Sequence, residues 1–384
     1  MSSETQMMGK IHPLLDQEKQ RLARRYEKEK RLWGLAEMLV SLIVLLSFYY
    51  SGLSRWMADT ASSHSAVWAS VIYIGALYSI LALLGFPLNF YSTYVHEHQW
   101  NFSNQTFPAW LWGRAKSFFV GLVISGLALG LLLWIMARTP GLWWLVAGAA
   151  AAALGLLFSI VLPVIILPIF HKYTPIQDRV LTEALRKILS RGGLKSSGFF
   201  KEDMSRQTKK ENAFLAGLGK TRRVILADNL MAHMTVPEVE SVIAHEVGHY
   251  KHRHIWKSIS LGTLRQTIVF YLLNAAMRSI FPSFLSSTRS NLTLLPWLAV
   301  LAGAISGVLF GLLGKAISRF FEGQADEYAL ASISDRGAFM TALAGLANRN
   351  LSNAYPAWWE KWLYSTHPPI GERLDRAEKW QTPE

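Results

Sequence analysis

Six stretches of this chain are long and apolar enough to cross a bilayer, and no soluble domain has use for such runs. They cover about 33–53, 66–89, 118–137, 142–170, 258–281 and 294–317. Each reaches the ~20 residues that a spanning helix needs. In a chain of 384 residues that is 51% hydrophobic, they predict a mainly α, multi-pass membrane protein with about six transmembrane helices. Pro163 and Pro168 punctuate the fourth run. Glu37 sits inside the first run, and Arg265 and Gln266 inside the fifth. A charge at that depth is costly unless it lines an aqueous cavity or finds a partner. These residues therefore point to a hydrated interior among the helices, or to snorkelling or an ion pair.

Charge orients the spans. Of a formal net charge of +13, most lies in the N-terminal segment, in 171–257 and in the tail after Lys315. The opposite loops hold only Arg55, Arg138, Arg278 and Arg289. The positive-inside rule then places both termini and the segment 171–257 in the cytoplasm, where basic loops meet anionic lipid. No arginine-rich tract with interleaved aromatics is present, so nucleic acid is not expected as a partner. Residues 1–32 alternate basic side chains with Glu and predict a surface helix before the first span. No small-residue cleavage site follows the first apolar run, so a cleaved signal peptide is not expected. The chain has no cysteine, which excludes a disulfide scaffold, a thiolate metal site and a cysteine nucleophile.

Two domains follow from this pattern: 1–170, with the charged segment and four spans, and 171–384, a soluble insert with two further spans. Within the insert, 178–190 has helical periodicity that Arg191-Gly-Gly193 ends, and 197–202, 211–216 and 223–227 read as strands. Leu218-Gly-Lys-Thr221 is read as the turn between the last two. The exposed edge of such a small sheet could hold an extended peptide by main-chain hydrogen bonds.

The chemistry centres on His245-Glu-Val-Gly-His249. Two histidines four apart share a helix face and can hold one zinc ion. The intervening Glu246 is then aimed at a water that zinc activates, and takes its proton during attack on an amide carbonyl. Thr235-Val-Pro-Glu238 reads as a capping box that starts this helix, and Val239, Val242, Ile243 and Val247 supply its apolar face. Without cysteine, the third ligand must be His or a carboxylate. Glu322, at the end of the last span, is the candidate, and Asp326 on the same face can accept the free N–H of His245. Glu327 competes but sits a step off that face. His367, held in a loop by Pro368 and Pro369, is either structural or a donor to the oxyanion of the tetrahedral intermediate. Arg373 could assist it or steady Glu246 by charge. Asn212 reads as a strand residue. His96, His98, His252 and His254 read as structural or membrane-surface residues, because a closed four-ligand site would leave no place for water.

Several of these stretches, in order from about 68 to 376, resemble the type I CAAX prenyl protease family of integral-membrane zinc endopeptidases. They are Tyr91–Thr106 between spans, Pro168–Pro175, Asn212-Ala213-Phe214 with Gly217 and Arg223-Val-Ile-Leu226, the HExxH pentapeptide, Glu322-x-x-x-Asp326 and His367-Pro-Pro…Glu-Arg373. The resemblance implies one zinc ion per chain, bound by His245, His249 and Glu322, with Glu246 as catalytic base. It also implies supporting roles for Asp326, His367 and Arg373, and substrate binding at the strand of Asn212 and Ala213. The fold it implies is a helical barrel around a large hydrated chamber, closed by a zincin-like cytoplasmic insert with a small β-sheet. The implied substrate is a peptide or protein, lipidated or not, cleaved near its C-terminus. Eukaryotic members carry one more span before the region of Trp33, so a prokaryotic cell (inner) membrane with a cytoplasmic active site is expected here. An HtpX-type quality-control protease is the alternative; an inactive transporter or scaffold is a more distant one.

Overall fold

The structure, a computed structural model, describes residues 11–217 and 219–381. The first ten residues of the expected N-terminal segment, and Leu218 of the expected 218–221 turn, lie outside the described residues. The charged segment and the first span form one helix, α1 (Gln17–Tyr50), capped by Asp16, which accepts from the Lys19 N–H at 3.0 Å. Good helix formers fill the junction, and Gly34 alone does not break it. Next come α2 (Ala66–Phe90), α3 (Phe107–Arg138) and α4 (Trp143–Val161). Helix α3 begins well before the expected 118, with Pro108 in its first turn, where a missing N–H costs nothing. Helices α2 and α4 both continue through a π-helical turn, Tyr91–Val95 and Leu162–Ile166. The second turn contains Pro163, whose ring cannot fit a regular i to i−4 ladder.

The insert opens with β1 (Tyr173–Pro175), followed by α5 (Arg179–Arg191), β2 (Gly198–Glu202), β3 (Ala213–Ala216) and β4 (Arg223–Ala227). The sheet order is β1-β2-β4-β3, with β2 and β4 parallel and both outer pairs antiparallel. Strand β3 is therefore an edge, with Ala213 opposite Leu226 on its paired side and, among the described residues, no strand on its other side. Helix α6 (Val236–Lys251) carries the HExxH residues and starts at the expected capping box. Arg253 then turns the chain in the left-handed region (φ 56°) into α7 (His254–Ile280), and α8 (Leu295–Ser332) follows. The tail forms α9 (Arg336–Asn350), α10 (Trp358–Tyr364) and α11 (Ile370–Glu378).

Among the described residues, five helical stretches combine the length and apolarity of a membrane span: α1, α2 with its extension, α3, α4 with its extension, and α8. The fifth expected span, about 258–281, is helical, but Lys257, Arg265, Gln266, Asn274 and Arg278 make α7 more polar than the others. It packs against α4 and α8. At about 1.5 Å per residue, the 38 residues of α8 reach about 57 Å, nearly twice the hydrocarbon thickness. That surplus carries Glu322 and Asp326 out to the insert.

Two apolar cores hold the chain. One, in the insert, packs α5, the sheet, α6, α9 and α11 around Leu185, Leu226, Ile243 and Phe339. The other lies at the far end of the spans, around Tyr73, Met136, Trp143 and Met277. Cavities of about 480, 270 and 730 Å³ lie among the helices. Gln266 lines the first, Arg265 the second, and Glu37 and Arg114 the third. Glu37 accepts a hydrogen bond from Ser92 Oγ at 2.7 Å.

One glycine sets how closely α6 and α8 approach. A Cβ on Gly248 would lie 2.8 Å from Ala325 Cα and 2.9 Å from its carbonyl oxygen, so backbone would have to move. Gly248→Ala is therefore expected to cost about 1–3 kcal/mol of stability, as overpacking does, and to weaken metal binding by parting the helices that carry the ligands. A thermal melt read beside a zinc titration checks both effects.

Candidate metal centre

The i, i+4 spacing on α6 sets His245 and His249 side by side, with their Nε2 atoms 3.2 Å apart. Glu322 on α8 faces both: His245 Nε2 lies 3.3 Å from its Oε2, and His249 Nε2 lies 3.4 Å from its Oε1. A tetrahedral zinc site with bonds of about 2.0–2.2 Å has ligand–ligand edges of roughly 3.3–3.6 Å. The separation between the imidazoles, and the distance from each to one carboxylate oxygen of Glu322, lie close to such edges. The donor set fits as well, with two imidazoles, one carboxylate and no thiolate. Glu322 is buried, and its Oε2 faces two imidazole nitrogens, His245 Nε2 at 3.3 Å and His367 Nδ1 at 2.8 Å, in a pocket of electron-pair donors that suits a cation. His245, His249 and Glu322 thus form a group able to hold zinc. Glu327 is exposed and takes no part in it.

Asp326 Oδ1 lies 2.8 Å from His245 Nδ1, which assigns the N–H to Nδ1 and leaves the Nε2 lone pair for the metal. Arg373 Nε and Nη2 donate to Asp326 at 2.8 and 2.6 Å. The guanidinium thus grips Asp326, which in turn meets His245, and it lines the same cavity as Glu246. Although burial disfavours its charge, the bonds to Asp326 and Glu322 raise His245 to about 9. The His367 ring is exposed, and its Nδ1 reaches to 2.8 Å from Glu322 Oε2. One cavity of about 210 Å³ is lined by Asn212, Ala213, His245, Glu246, His367 and Arg373, among others. Every residue expected at the site thus reaches this cavity or the metal group, Asp326 behind His245 included.

Residues 2–172 match the family profile described as CAAX prenyl protease N-terminal, five membrane helices, and residues 175–381 match that of Peptidase family M48. The chain belongs to peptidase family M48. This M48 chain is 27% identical over 371 residues to CAAX prenyl protease 1 of Saccharomyces cerevisiae, covering 91% of this chain and 78% of that one. It is 25% identical over 341 residues to the uncharacterized metalloprotease YhfN of Bacillus subtilis, covering 88% and 79%. The crystal structure of S. mikatae Ste24p superposes with a TM-score of 0.81 at 25% identity, over 95% of this chain and 91% of that one. M48 peptidases are zinc metalloproteases, and this M48 chain is an integral membrane metalloprotease acting on peptide or protein substrates.

Two supports of the M48 site are not visible as sequence patterns. His254, expected to be a structural or membrane-surface residue, is buried and places its Nδ1 3.0 Å from His249 Nδ1, while its Nε2 lies 3.0 Å from Gln324 Oε1. Gln324 accepts from His254 Nε2–H, so His254 Nδ1 accepts from His249 Nδ1–H and the His249 Nε2 lone pair faces the metal. His254→Ala is expected to lower zinc affinity about 10–100-fold, read by competition with a fluorescent chelator. Unchanged affinity would leave His254 a packing residue. Asn350 is the second support. Its Oδ1 accepts from the Glu211 N–H at 2.8 Å and its Nδ2 donates to the Glu211 carbonyl at 3.0 Å, fixing the backbone one residue before Asn212.

Proposed function

We propose that this protease binds an extended peptide along the free edge of β3 and hydrolyses it near the C-terminus of membrane-associated, including prenylated, substrates. The observation that carries this reading is the shared cavity: the free edge at Ala213 and the metal group open into one space. A strand added there would have its main-chain groups paired by β3 and its carbonyl beside Glu246. Zinc at His245, His249 and Glu322 supplies Lewis-acid polarisation and acidifies water. Glu246 accepts the proton of the attacking water on its carboxylate and passes it to the leaving amine. His367 donates to the developing oxyanion, and Asn212 orients the bound strand. Asp326 and Arg373 hold the tautomer of His245. The catalytic face is cytoplasmic, in a prokaryotic cell membrane; the basic segments that flank it support that placement.

The test uses purified protein in detergent, with zinc content and cleavage of a farnesylated CAAX peptide measured together and the unlipidated peptide as control. Zinc-dependent cleavage near the C-terminus of both supports the site assignment, and faster cleavage of the lipidated form supports prenyl recognition. Zinc-loaded protein that cleaves neither peptide would overturn the proposed substrate class.

A further inference from the structure

Helix α10 reverses the polarity of an ordinary surface helix. Trp358, Trp359, Trp362 and Leu363 share one face by their i, i+1, i+4, i+5 spacing, and they are 76, 44, 49 and 44% exposed. Of the charged residues, Glu360 turns inward and Lys361 reaches sideways to a partly exposed partner. Glu360 accepts from Arg31 Nη2 at 2.6 Å, and Lys361 Nζ donates to Glu372 at 2.6 and 2.8 Å. Arg319 on α8 holds the chain beneath, donating from Nη1 to the carbonyls of Lys361 and Ser365 at 3.0 and 2.7 Å, with its guanidinium 4.9 Å from the Trp362 ring.

In water, an arrangement with three indoles and a leucine facing out would leave a large apolar patch uncovered. Its surroundings identify what covers it. Helix α10 packs on α8, where Phe320 is 62% exposed and the membrane-spanning part just below presents Leu312 and Leu313 at 48 and 55%. Trp256, at the adjoining end of α7, is 49% exposed. The apolar face of α10 thus continues the exposed apolar surface of a span at the end where that span leaves the membrane. Trp and Tyr gather at that level because an indole suits the headgroup layer, apolar in body with one N–H for water or a carbonyl.

We propose that α10 lies in the membrane–water interface with Trp358, Trp359, Trp362 and Leu363 in the lipid headgroup layer, so that the partner of this face is the bilayer itself. The helix ends at Tyr364, and His367 follows across Ser365, whose carbonyl Arg319 holds. The bilayer surface therefore sets the height of the His367 loop, and peptides lying at that surface reach the cavity without leaving it. The proposal rests on the membrane-spanning architecture and is independent of the substrate reading.

The absence of native cysteine makes the test clean. Trp359→Cys and, separately, Leu363→Cys in the full chain are labelled with a nitroxide and placed in phosphatidylcholine nanodiscs, with zinc content confirming the fold. Collisions with oxygen, which concentrates in lipid, are compared with those of a water-soluble nickel chelate. Glu183→Cys, at an exposed position of α5, serves as the aqueous reference. Both α10 labels are expected to show an oxygen-to-nickel ratio several-fold above the reference. A ratio equal to the reference would overturn the proposal by showing a water-facing helix. Shielding from both probes would overturn it too, by showing that protein, from a partner or a second copy, covers the face.

Discussion

Glu246→Ala is expected to lower kcat by about 10²–10⁴-fold while the chain keeps its full zinc. Glu246 lines the same cavity as His245, yet it is not among the residues whose ligand atoms converge on the metal position. One residue on from His245, it is turned about 100° around α6, which gives it a place beside the attacking water rather than in the ligand set. Removing it takes away the proton acceptor and leaves two imidazoles and a carboxylate for the ion. Glu246→Gln keeps the shape of the side chain and should be as inactive, because the loss is of basicity and not of packing. Metal analysis beside single-turnover cleavage separates the two roles. Zinc lost in proportion to activity would make Glu246 a ligand and would require a different base.

The parts of this site that were legible in the sequence are those written in local spacing. His245 and His249 are visible because i, i+4 means adjacency on any helix, and Thr235 and Glu238 because a capping box is a local exchange of hydrogen bonds. Glu322 and Asp326 are legible by the same rule once a third ligand is required. What stayed hidden depends on one helix meeting another. Gly248 looks like any helical glycine until Ala325 is found against it. His254 lies past the end of α6, and it returns to His249 only because Arg253 takes a left-handed conformation that no sequence rule assigns to arginine. Strand β1 was missed because it is three residues ending in proline, too short for an alternation to show. Helix α10 carries no period that says which face is inward, since Arg31, the partner that holds Glu360 inward, lies far off in sequence. The spans were legible by length and apolarity, and the polar residues of α7 blurred the fifth of the six.

Glu322→Ala is expected to remove tight zinc binding, with a loss beyond the roughly 10–100-fold that follows removal of a group acting through a ligand. The reason is charge as much as coordination number. Both imidazoles bind as neutral groups, so this carboxylate is the single anion of the set and offsets half the charge of a divalent ion. It is also buried, so its charge meets the ion with little screening by water. Asp326→Ala should act more mildly, because His245 keeps its Nε2 and loses only the group that orients it. The contrast can be read without any substrate. A ligand that binds only the folded state stabilises it by RT ln(1 + [L]/Kd), about 4.1 kcal/mol at a thousandfold excess over Kd. The wild-type melt should therefore rise sharply when zinc is restored after chelation, the Asp326→Ala melt by less, and the Glu322→Ala melt hardly at all. A full zinc response in Glu322→Ala would mean that the third ligand lies elsewhere. The exposed position of Glu327, outside the converging group, makes it a poor replacement, because closing on two imidazoles this close together requires a carboxylate from the face of α8 that already meets them.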